Sequence, residues 1–163
     1  MARRWPGPAR WRGAALVLAL VLPLPALAGG ARLEVVTDDG RILARLPLQA
    51  GERWCVLWEH SVAGFTVRDC YTYRDGRMVL VASHQPDFAA GLGHVPGRGV
   101  QRSDGNGGYW IRGIDEPVPG DRYRLRVGSE RVNHRIRHRD RVTSLSAQAA
   151  GEAVTLRLRE GGG

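Results

Sequence analysis

Cys55, His60, Ser61, Asp69 and Cys70 are gathered in one short stretch, residues 54–71, and they bring together the most chemically capable side chains of the chain. The stretch reads as two strands, 53–60 and 65–74, folded back across Ser61-Val62-Ala63-Gly64. A turn centred between Val62 and Ala63 sets His60 opposite Phe65 and Cys55 opposite Cys70. Cysteines directly across an antiparallel pair are close enough for a disulfide, and two cysteines allow one pairing only. The same register leaves His60 and Asp69 on the other face, with Trp58 and Val67 between them. There they would line a polar pocket, and an imidazole that can carry charge suits a carboxylate-bearing ligand.

Other chemistries compete for the same residues. Ser61 beside His60 suggests a hydrolase, but neighbours in a strand point to opposite faces, and serine is common at turns. His134 added to His60 and Asp69 would make a two-histidine, one-carboxylate metal set. His134 and His138 have helical metal-ligand spacing, yet their stretch reads as extended, which would hold the rings about 13 Å apart. No G-x-S-x-G, H-E-x-x-H, P-loop or G-x-G-x-x-G motif occurs. No catalytic residue, metal or cofactor is therefore assigned. The expected ligand-binding set is His60, Asp69, His134 and Ser61, rimmed by Gly91 and Leu92. A metal-binding or hydrolytic enzyme built on His60, Asp69 and His134 is the alternative.

The elements that must position these groups begin after a leader. Arg3, Arg4, Arg10 and Arg12 precede an apolar run, residues 14–24, and Ala26-Leu27-Ala28 matches a small-x-small cleavage site. Residues 1–28 thus read as a signal peptide, too short and too proline-broken to remain as a membrane span. The expected location is periplasmic or secreted, where thiols oxidise. Residues 29–163 suit one domain. The charge of +8 includes the four leader arginines, leaving 20 arginines and no lysine against 16 acidic residues, a net +4. That balance argues no nucleic-acid partner.

Strands are expected at 32–37, 41–46, 53–60, 65–74, 78–83, 109–114, 122–127, 132–136 and 154–158, several joined by Asp-Gly turns. No segment carries a helical stripe, although residues 140–150 leave room for one short helix. The fold class is all-β, an antiparallel sandwich or small barrel of about 8–10 strands with a long glycine-rich loop over 86–108. Arg122, Arg124 and Arg126 alternate with apolar residues, and Arg135, Arg137, Arg139 and Arg141 repeat the spacing. Such faces are solvated sheet surface, or they dock an acidic partner and make the protein an interaction module.

Several of these residues also carry a resemblance. His60-Ser61-Val62, then Val67, Asp69 and Tyr71, then Phe88 with Ala90-Gly91-Leu92, Arg126-Val127-Gly128 and His134-Arg135-Ile136 follow one another as in the exported bacterial proteins grouped as "domain of unknown function 1850". The chain resembles that family from about Leu33 to Leu158, departing from it at Phe65-Thr66, where Thr-Pro is frequent, and at Asp69, where glutamate is. The resemblance implies an accessory or ligand-binding role beside a TAXI-type TRAP transporter, whose substrates include small organic acids.

Overall fold

Short polar turns dictate most of the chain path. At Asp38-Asp39-Gly40 the glycine takes φ 89°, a conformation that costs it little, and its N–H donates to Thr37 O at 3.0 Å. That turn folds β1 (Ala31–Thr37) onto β2 (Ile42–Leu48). A computed structural model describes residues 30–60, 64–86 and 97–160. The leader, Ser61, Gly91 and Leu92 lie outside the described residues.

β3 (Arg53–Glu59) and β4 (Thr66–Arg74) pair in the expected register, with Cys55 opposite Cys70 and the disulfide formed at 2.07 Å. Asp75-Gly76 then turns the chain into β5 (Arg77–Pro86). β6 (Val100–Ser103), β7 (Gly108–Pro117), β8 (Arg122–Arg126), β9 (Arg135–His138), β10 (Arg141–Ser144) and β11 (Ala153–Glu160) complete eleven strands among the described residues, with one helical turn at Ser146–Ala149. They form two antiparallel sheets, β2-β1-β11-β8 and β10-β9-β3-β4-β5-β7-β6, which stay open at their edges. The chain is thus a sandwich and not a barrel. Alternation along each strand makes the core: Leu33, Val35, Val154 and Leu156 of the smaller sheet pack with Trp54, Val56, Ile111 and Ile136 of the larger, all within 3% of full burial.

Three differences from the sequence reading have identifiable causes. β2 runs through Pro47 because it is an edge strand, where a missing N–H deprives no neighbour. β6 occupies part of the expected loop because β7 offers it a free edge, which no local pattern announces. The arginine repeat 135–141 is not one face: Arg139 sits in the β9–β10 turn with φ 53°. Glu52 accepts from His138 at 2.9 Å and from Arg139, and this drives its pKa down to about 2, chiefly through Arg139. It ties the β2–β3 turn to the β9–β10 hairpin.

Candidate functional site

His60 and Asp69 do share the inward face, but they do not meet. Asp69 pairs with Val56, and His60 follows two rungs further, where its N–H donates to Phe65 O at 2.8 Å. Two rungs are about 13 Å of strand, beyond the reach of the two side chains. Asp69 accepts instead from Ser83 Oγ at 2.7 Å, Gln85 Nε2 donates to that hydroxyl at 3.0 Å, and Tyr109 OH donates to Gln85 Oε1 at 3.0 Å. This line crosses β4, β5 and β7 on the core side. His134 stands beside Trp58, ring centroids 6.1 Å apart, and Nδ1 accepts the Gly128 N–H at 2.9 Å. Its carbonyl accepts from Leu145 and Ser146 N–H, and burial lowers its pKa, so the ring is a neutral brace for the loop after β8. Among the described residues no three His, Cys, Asp or Glu side chains gather as a metal site.

Burial raises the Asp69 pKa above its ordinary 3.8, against the smaller opposing effects of Ser83 and Arg98. The native state therefore keeps this proton at pH values where the unfolded chain has lost it. Stability falls as pH rises from 3.8 through the native pKa, and the full penalty is felt above it. Asp69→Asn, which still accepts from Ser83, should raise the thermal midpoint at pH 7 and leave it unchanged well below pH 3.8. Melting curves across pH 2–8 check this.

The opposite face of the larger sheet holds a constellation that the sequence reading missed. Register aligns Leu57, Arg68, His84, Trp110 and Arg102 as one rung across β3, β4, β5, β7 and β6. The next rung is Cys55, Cys70, Ala82, Arg112 and Val100. His84 is 7% exposed, and its ring lies between Phe65 and Trp110, centroids 5.0 and 4.6 Å away. Its Nε2 donates to Asp104 at 2.7 Å. Asp104 is fixed by the N–H groups of Asn106 and Gly108, at 2.7 and 3.0 Å, and the Asn106 bond above all holds its pKa below the usual range. Gly108 must be glycine for this: a Cβ there would come within 2.6 Å of Phe65 and 2.8 Å of Asp104.

Two nitrogens on this rung are sealed from solvent without a hydrogen-bond partner among the described residues, Nδ1 of His84 and Nε of Arg68. Each such group costs about 1–3 kcal/mol, and two on adjoining strands ask for an explanation. Beside them a groove of about 410 Å³ is lined by the disulfide, Val81, Ala82, Trp110 and Gly113, with Arg53 and Arg112 at its sides. Arg112 lies over the Trp110 ring, 5.1 Å from its centroid. Neither Arg53 nor Arg112 is paired with a carboxylate among the described residues. A wider depression of about 580 Å³ includes His138 and Arg139, but Glu52 already holds both.

The signal for this face was present as i, i+2 pairs: Arg68 with Cys70, Ala82 with His84, Trp110 with Arg112. Each pair shares a face on any strand. Their adjacency depends on the β4–β5 and β5–β7 registers, which carry bulges at Cys70/Tyr71 and Leu80/Ala82. The family model described as "Domain of unknown function (DUF1850)" matches residues 55–145, which takes in the hairpin, this face and the β9–β10 hairpin. No curated protein and no solved structure gives a significant match.

Proposed function

We propose, from the premise that the chain belongs to the DUF1850 family of domains of unknown function, that it works outside the cytosol as a binding protein for a small organic acid. The groove over the disulfide is the binding site. The observation that carries the reading is the pairing of an apolar floor with two guanidiniums that no carboxylate occupies among the described residues. A ligand's apolar body would lie on Cys55–Cys70, Val81 and Ala82 against Trp110, and its carboxylate would take hydrogen bonds from Arg112 and Arg53. His84, fixed by Asp104, backs the indole. Among the described residues no hydroxyl or thiol bonds its Nδ1, and on this reading the dyad supports the pocket wall.

The same reading makes the protein an exported accessory, periplasmic or secreted, to a TRAP-type transporter of small organic acids. The disulfide supports that compartment, and among the described residues no helix is long and apolar enough to cross a membrane. Calorimetric titration with small mono- and dicarboxylates, aromatic and aliphatic, tests the site. A charge-assisted hydrogen bond is worth about 1.5–3 kcal/mol, so Arg112→Ala should weaken binding about tenfold or more, and Arg53→Ala similarly. Asp69→Asn, on the other face, should leave affinity as it was. Full affinity in both arginine variants, or no heat from any carboxylate with folded protein, removes the proposal.

A further inference from the structure

We infer that the outer face of the four-stranded sheet docks on an anionic phospholipid bilayer. Strands distant in sequence assemble a field of guanidiniums there. Arg45, Glu34, Arg157 and Arg122 form one rung across β2, β1, β11 and β8. Arg32 and Arg159 stand opposite one another on the next rung, and Arg124 and Arg126 continue along β8. Glu34 is 4% exposed at the centre, its carboxylate bonded to Arg32 at 3.0 Å and Arg157 at 2.9 Å, with Arg45 at 3.6 Å and Arg159 at 3.9 Å. One buried carboxylate thus holds four guanidiniums in place while their side chains remain 31–63% exposed. Arg124 is paired with Asp38, and Arg122 and Arg126 have no carboxylate partner among the described residues.

Two features select a lipid surface over an acidic protein. Protein interfaces set arginine among apolar or aromatic anchors, whereas this face has arginine, proline, threonine and alanine around the buried Glu34 and Val36, with Ile42 at one end the one large apolar side chain exposed on these four strands. Between Arg122, Arg157 and Arg159 opens a polar hollow of about 430 Å³, rimmed by Asp38 and Thr155. It is sized for a phosphate-bearing headgroup, and guanidinium forks match phosphate oxygens. Several such contacts on one plane add their effects where the phosphates are held in a plane too. This inference is independent of the groove, which lies on the opposite side of the sandwich.

Co-sedimentation of the purified protein with vesicles tests it. Vesicles of phosphatidylglycerol and phosphatidylcholine should retain the protein at low salt, pure phosphatidylcholine should not, and high salt should release it. Replacing Arg122, Arg124 and Arg126 by Gln should reduce partitioning about tenfold or more, while the matched variant Arg131→Gln, Arg137→Gln, Arg141→Gln should keep it. Should the first triple variant fail to fold, Arg126→Glu alone serves. Equal retention on neutral vesicles, equal loss in both triple variants, or no retention overturns the inference. So does binding to polyglutamate tighter than to the vesicles, which would assign the face to an acidic polypeptide. Inorganic phosphate that competes the protein off the vesicles at millimolar concentration would also count against it, since one free ion would then replace the whole plane.

Discussion

Trp54→Ala should lower the unfolding free energy by about 3–5 kcal/mol, a large share of the 5–15 kcal/mol that holds a domain of this kind together. Trp54 is 1% exposed and points from β3 into the space between the sheets. Its ring stacks on Tyr71 with centroids 5.8 Å apart, and Tyr71 stacks in turn on Tyr123 of the facing sheet at 5.5 Å. The column bridges both layers, so truncation removes transfer energy and also leaves a void that neither sheet can close alone. Burial of the two phenols pushes the Tyr71 pKa up to about 12 and raises that of Tyr123 well above its ordinary 10, so both stay neutral in the column. The indole N–H has no hydrogen-bond partner among the described residues. Trp54→Phe removes that buried donor while keeping most of the area, and it should cost much less than the alanine variant. Urea denaturation separates the outcomes: the alanine midpoint falls with little change in slope. Equal losses for Phe and Ala would mean that the column contributes little.

Loss of the disulfide should cost about 3 kcal/mol, because a cross-link between residues 15 apart restricts the unfolded chain by roughly that amount. Two routes to the same loss check the cause. Reduction by dithiothreitol keeps both side chains in place, and the double variant Cys55→Ala, Cys70→Ala removes the sulfurs. Matching midpoint shifts assign the effect to chain restriction. An additional loss of organic-acid affinity in the alanine variant alone would report the missing groove floor. Wild-type protein whose midpoint ignores the reductant would contradict the argument.

The β3–β4 hairpin was legible in the sequence down to single residues. Register set at one pair carries to every pair that follows, so strands folded back with His60 bonded to Phe65 bring Cys55 opposite Cys70. Alternation likewise told which side chains share a face, and Trp54, Val56 and Val67 are buried as that pattern requires. Sharing a face is not contact, and the same register puts Trp58 and Val67 between His60 and Asp69. His60 and Asp69 have the same parity but lie two rungs apart, and Asp69 found Ser83 through the next strand pairing, Asp69 opposite Ser83. His134 looked like a third member of that pocket, but its Nδ1 is spent on the Gly128 N–H and its ring stands beside Trp58.

Composition, the single cysteine pair, the Asp-Gly turns and the two-residue period determined an all-β domain with one disulfide across one hairpin, because each of those signals acts over a few neighbouring residues. The tertiary structure alone decided which strands lie side by side. It brought Arg112 and Trp110 to the disulfide, His84 to Asp104, and arginines from both ends of the chain around Glu34. Contacts between strands far apart in sequence depend on sheet order and on bulges that shift register by a residue, and neither leaves a mark on the local pattern.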